Sequence, residues 1–368
     1  MSVDSALPLL VLLTSLLPGL LIFFLGEERH TLRTALNLLG ALAKVALVFV
    51  MAWGVFHEHQ YEWALPVLPG LTLSLRADAL AVFFATLSAV LWLVTTVYAV
   101  GYLEGSPNRS RFFGFFSMCV TSTMGVALAG NLFTFFVFYE LLTASTYPLV
   151  VHRGTEKALA GGRTYLLYAL TAGMVLLTGV IWLHAIAGPV DFHEKGVLAP
   201  LLSTHRWSLV AIFALLVAGV GVKAALVPLH GWLPKAMVAP APVSALLHAV
   251  AVVKSGAFGI VRIVYDVYGV GVADELGVTH ALLALAAVTI VYGSLRALYQ
   301  DDLKRRLAYS TVSQVSYIAL GVAMAGPVST IGGVAHLVHQ GIMKITLFLC
   351  AGNFAEELEI HKVSEMEG

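Results

Sequence analysis

Four lysines stand inside long apolar stretches of this 368-residue chain: Lys44, Lys223, Lys254 and Lys344. Glu140 stands in another, NLFTFFVFYELLTASTYPLV. A lysine held at the centre of a bilayer costs about 2.5–3.5 kcal/mol even on lenient insertion scales, so such residues face a bundle interior or water and mark ion paths. A carboxylate that approaches a buried ammonium holds its proton in place, and withdrawal of the carboxylate lets that proton move to the next site. This is the minimum equipment for charge-coupled proton movement. A static Glu–Lys pair that only fixes helix packing is the competing reading, because structural ion pairs perturb the same groups.

Histidines accompany the lysines. His248 lies six residues before Lys254 in VSALLHAVAVVKSG, and His336, His339, Gln340 and Lys344 recur in GGVAHLVHQGIMKITLF. On a helix, His336, Gln340 and Lys344 fall at i, i+4 and i+8, with His339 three residues from His336, so the spacing predicts one shared polar stripe. Histidine titrates near neutral pH and carries distinct donor and acceptor nitrogens, which suits a relay. Zinc lacks carboxylate or thiolate ligands of suitable spacing here. Haem ligation by His248 with His336 or His339 stays open but leaves the lysines unexplained. No metal or cofactor is expected. Cys119 and Cys350 sit in apolar runs and form no CxxC pair. The GVGV run lacks the strand–turn–helix setting of a nucleotide fold, and no flavin or iron–sulfur signature is present.

The elements that position these residues follow from composition. Hydrophobic residues make up 59% of the chain and charged ones 11%, against about 25% charged in a typical soluble domain. The formal net charge of +0 offers no field for nucleic acid, and the solvent is expected to be the lipid bilayer. A ruler of about 20 residues per span finds about eleven candidates. They lie near residues 6–25, 31–56, 78–103, 112–129, 131–151, 164–188, 207–227, 243–265, 277–298, 307–325 and 328–354. Strand-like alternation is read as absent, which argues against a barrel. Asp4 precedes the first apolar stretch where a cleavable signal would carry positive charge, so that stretch is read as a retained span.

Lysine and arginine excess in alternate loops predicts an outside N-terminus and a cytoplasmic C-terminus, leaving Arg76, Lys195, Arg206 and Arg262 outside. Pro228, Gly231, Pro234, Pro240 and Pro242 follow Lys223 closely and break any continuous helix. Such breaks are tolerated in membranes where the freed backbone meets protein or water, and they flank ion sites. An ordinary cytoplasmic hairpin, with Lys235 at its centre, accounts for the same prolines.

Four strings, NLFTFFVFYELLTASTYPLV, VKAALVPLHGWLPKAMVAPAPVSALLHAVAVVKSG, DDLKRRLAYSTVSQVSYIALG and HLVHQGIMKITLFLCAGN, resemble the antiporter-like subunits of respiratory complex I, membrane-bound hydrogenases and Mrp-type cation/proton antiporters. Within that group the strings resemble the D-type Mrp subunit. The resemblance runs from about residue 105 onward and implies an all-α membrane protein with broken helices. It implies a three-helix region at 1–104, one five-helix unit at 105–270 and part of an inverted second unit at 271–368.

It makes Glu140 the ion-pair glutamate and Lys223 its partner, with His248, Lys254, His336, His339 and Lys344 continuing a proton path along the midplane. Lys44 matches nothing in the pattern and is read as tolerated or locally paired. Family members continue through further helices, so the second unit is expected to be completed by another polypeptide, or else the chain serves as a scaffold. The function implied is proton translocation, with sodium exchange as an open coupling, in a multisubunit complex of a prokaryotic inner membrane. A stand-alone secondary carrier is the rival from a different class.

Overall fold

The computed structural model describes residues 3–366. Among these, eleven long helices run as α1 (Val3–Phe23), α2 (His30–Phe56), α3 (Ala79–Tyr102), α4 (Arg109–Leu128), α5 (Leu132–Val150), α6 (Glu156–Ala187), α7 (Leu202–Lys223), α8 (Ala241–Tyr268), α9 (Val278–Leu298), α10 (Leu303–Ala323) and α11 (Pro327–Glu357). They coincide with the expected segments to within several residues at each end. Ten of them are long and apolar enough to cross a membrane. The exception is α10, whose YSTVSQVS run carries hydroxyls and an amide in its middle.

Side chains start several helices by accepting backbone N–H groups that the first turn leaves without partners. Asp78 accepts from Ala81 at 2.7 Å, Asn131 from Thr134 at 2.8 Å, and Asp302 from Arg305 at 2.8 Å. Glu27 reaches across to the backbone N–H groups of Arg109 and Ser110 at the start of α4.

Between α2 and α3 the sequence suggests no strands, yet β1 (Tyr61–Leu68) and β2 (Leu71–Ala77) form an antiparallel hairpin, with Tyr61 opposite Ala77 and Leu68 opposite Leu71. Alternation in LTLSLRA and the Pro69-Gly70 turn were the available signal. The hairpin lies across the junction of α4 and α5: Ser74 O accepts from Gly130 N at 2.8 Å, and Asn131 Nδ2 donates to Thr72 O at 2.9 Å.

Helix direction then sorts the cations into two ends. Arg76, Lys195, Arg206 and Arg262 share the hairpin end, while Arg33, Arg109, Arg153, Lys235 and Lys304 share the other, the basic end. Arg262 is no loop residue. It is buried, and it holds Asp78 at 2.7 Å and Asp266 at 2.6 Å, tying the start of α3 to the end of α8. Such a group is fixed in place because a buried charge without partners is costly.

The core centres on α8, which is buried along its length by α3, α4, α5, α7, α10 and α11. It is not a regular helix. Leu246–Val250 is a π-helical turn, and Ala251 departs to φ −111 and ψ −84 before the helix resumes at Val252. Wide turns of this kind free backbone groups and gather at functional sites.

Candidate proton path

Lys223 ends α7 immediately before the break, and its ammonium turns onto Tyr139: it donates to the Tyr139 carbonyl and lies 3.4 Å from the ring centroid. Glu140, the next residue on α5, is half-buried with its carboxyl against Gly173 of α6. A Cβ at Gly173 would come within 2.7 Å of that carboxyl, so a larger residue there would push the Glu140 side chain aside. Glu140 and Lys223 act on each other electrostatically but form no direct ion pair among the described residues. Of the two arrangements a switching pair can take, this is the withdrawn one, with the lysine held by aromatic and carbonyl groups. Glu140 Oε1 is left buried without a protein partner.

The end of α7 reaches α8 at Gly256, where a Cβ would sit 2.2 Å from Ala224 N. Lys254, two residues before Gly256 on α8, turns to the other side of that helix, away from α7 and toward α11. Lys254 is fully buried and donates to Leu337 O of α11 at 2.5 Å. Two turns on, Lys344 of α11 donates to Leu307 O at 3.2 Å and to Ser310 Oγ, both from α10. Gln340 stands between Leu337 and Lys344 with both amide atoms buried and unpartnered. His336 lies in electrostatic range of Lys254, and its Nε2 is also buried without a partner. Buried polar atoms are normally satisfied by protein or ordered water, so a row of such atoms between lysines is a site that water suits.

His248 projects from the π-helical turn to Thr311 of α10, Nδ1 to Oγ1 at 2.9 Å, with its ring against Phe348. The Thr311 hydroxyl donates to Leu307 O at 2.9 Å. It therefore accepts from His248, which assigns the ring proton to Nδ1 and leaves Nε2 as an open acceptor. His248, Thr311 and Lys344 thus converge on the carbonyl of Leu307.

His339 departs from the expected stripe. It is exposed on α11, while His336, Gln340 and Lys344 point inward. At 100° per residue the i+3 position lies on the edge of the stripe, and the i, i+4, i+8 row is the one that turns inward, with Gln340 and Lys344 buried and His336 half-buried. Lys44 lies apart, donating to Val11 O at 2.8 Å.

Residues 129–368 match the family described as NADH:quinone oxidoreductase/Mrp antiporter, TM. The chain belongs to this family. It is similar to NADH-quinone oxidoreductase subunit N of Desulforudis audaxviator, 36% identical over 300 residues that make 80% of this chain and 59% of that one. It is also similar to the D-type Na(+)/H(+) antiporter subunit of Alkalihalophilus pseudofirmus, 27% identical across 92% of this chain and 69% of the relative. Among solved structures, a chain of the Mrp complex from Dietzia sp. DQ12-45-1b superposes with a TM-score of 0.84 at 26% identity, over 96% of this chain and 65% of that one. The chain spans about half the length of several of the curated relatives it matches.

Within this family member the residues that sequence reasoning missed are Tyr139, Ser310 and Thr311. Tyr139 borders Glu140 in the quoted string, and the hydroxyl run of α10 was visible as a dip in apolarity, but neither says which partner each would meet. No group of three or more metal-ligating side chains occurs among the described residues.

Proposed function

We propose that this chain is a proton-translocating membrane subunit of a larger complex. The supporting observation is two buried clusters on either side of α8, Glu140 with Lys223, and Lys254, Gln340 and Lys344 with His248, in which titratable groups stand beside polar atoms lacking protein partners. Each lysine is held by neutral carbonyls, hydroxyls or aromatic faces rather than by a fixed counter-charge, so its proton is not locked in place. The parted Glu140 and Lys223 form the switch: approach of the carboxylate retains the lysine proton, and separation passes it toward Lys254. His336 is a side station beside Lys254.

In this reading the basic end faces the cytoplasm, following the lysine and arginine excess, and the N-terminus lies outside. The partners are other membrane subunits, as in the Mrp complex to which the fold is similar. A neighbouring helix, from this polypeptide or another, would cover the exposed His339.

The test is transport by the native complex reconstituted in vesicles, with an internal pH dye. Lys223→Ala and Glu140→Ala should each reduce coupled proton movement by at least about tenfold, below the full effect of a positioned proton carrier, while subunits still co-purify. Unchanged transport in both variants overturns the reading. Dependence of the residual rate on sodium separates cation exchange from proton movement alone.

A further inference from the structure

A buried proton row needs a connection to an aqueous side, and the basic end contains a feature that supplies one. A cavity of about 320 Å³ opens there, lined by Arg153, Lys157, Asp302, Lys304, Arg305 and His361 among others. Lys304 stands in its wall, half-buried, and its ammonium donates to Ala239 O at 2.5 Å. Ala239 lies just before the start of α8, the helix that bears His248 and Lys254.

Three basic residues, Lys304, Arg305 and Arg306, occupy the first turn of α10. Cations there oppose the positive end of the helix dipole, so their position is not explained by helix formation. Lys304 differs from the other two in turning inward. From it the same face of α10 presents the Leu307 carbonyl, Ser310 and Thr311, at steps of three, six and seven residues, which is one side of a helix. Those groups are the ones that hold Lys344 and His248. The rise from Lys304 to Ser310 is about 9 Å. His248 lies within electrostatic range of both Lys304 and Lys344. At the mouth, Arg153, Asp302 and Glu356 act on Lys304 together, and Arg153 is tied to Glu356 at 3.5 Å.

We propose that Lys304 is the loading residue that exchanges protons between the basic-end cavity and the Lys344–His248 pair, along the polar face of α10. The proposal rests on the proton-translocation reading and extends it. In each cycle the Lys304 amine takes a proton from cavity water and releases it inward, by way of the Ser310 and Thr311 hydroxyls, to the neutral Lys344 amine, which becomes the ammonium as Lys304 returns to the neutral amine. The polarity of α10 follows from this: it gives up the apolarity of a membrane span to carry the route.

The test uses the intact complex in vesicles. Lys304→Gln keeps a donor for Ala239 O but cannot carry a proton, and it should slow transport by about tenfold or more. In a background carrying Cys119→Ser and Cys350→Ala, Lys304→Cys should be equally slow. Methanethiosulfonate-ethylammonium, which attaches a titratable amine, should restore it; the trimethylammonium analogue, whose charge is fixed, should not. Transport by Lys304→Gln at the wild-type rate, or failure of the ethylammonium reagent to restore Lys304→Cys, overturns the proposal. Lys344→Gln, run alongside, separates the two readings: if it is slow while Lys304→Gln is normal, only the loading role fails.

Discussion

Lys44 and Lys344 are both buried lysines on long helices, yet their surroundings have little in common. Lys44, on α2, donates to one carbonyl of α1 and lies 5.5 Å from the Trp92 ring, with burial as the sole influence on its charge. Polar groups along α1, α2 and α4 pair off with one another: Ser15 with Thr121 at 2.7 Å, Ser117 with Asn37 at 3.2 Å, and Arg33 with Ser110 at 2.9 Å. Trp92 Nε1 is left over. Lys344 instead meets a hydroxyl and a shared carbonyl, has His248 and Lys254 in range, and borders the unpartnered amide of Gln340. Burial is common to both lysines. What separates them is whether a proton leaving the nitrogen has somewhere to go.

The largest effect expected from this contrast is at Lys344. Lys344→Gln preserves length and hydrogen bonding to Ser310 while removing the titrating nitrogen. Coupled proton movement should fall on the order of a hundredfold, the scale of losing a positioned proton carrier, with assembly intact by co-purification. A rate within about twofold of wild type, far short of that scale, would mean that the row is a structural network like that around Ser15 and Thr121.

Lys44→Met is the converse experiment. Transport should stay near the wild-type rate. Stability should be unchanged or rise by about 1–4 kcal/mol, because replacing isolated buried charge with an apolar side chain of similar volume removes a desolvation cost. Thermal unfolding of the purified complex followed by tryptophan fluorescence reads the stability, and the vesicle assay reads the rate. A large loss of transport would bring α1–α3 into the path and erase the distinction.

Much of this was legible in the sequence because membrane insertion penalises charge so strongly. Glu140 and the three lysines of the row stand out against their apolar flanks, and the helices follow from the span ruler. The hairpin over residues 61–77 was not legible: the eight residues of β1 are mostly exposed, so its alternation encodes no buried face. His339 was misplaced because helical spacing narrows a stripe without fixing which edge packs inward. Arg262 and Lys304 looked like loop cations. Arg262 is buried against Asp78, 184 residues away in the chain, and Lys304 turns to Ala239, 65 residues away, and spacing along one helix cannot show such partners.

The smallest expected effect concerns a histidine outside the row. His152 follows α5 at the basic end, and burial together with Arg111 and Arg153 lowers its titration from 6.5 to about 4. The unfolded chain takes up that proton near pH 6.5, whereas the folded protein resists it until about pH 4. Stability from this group is therefore fully present above the unfolded value and is lost as pH falls across that window. His152→Gln should flatten the decline of the unfolding temperature between pH 6.5 and about pH 4 and leave the pH profile of transport unchanged. A shift in the transport profile would make His152, on the loop after α5, a titrating group of the path, and the difference between the Lys44 and Lys344 regions would no longer coincide with α8, α10 and α11.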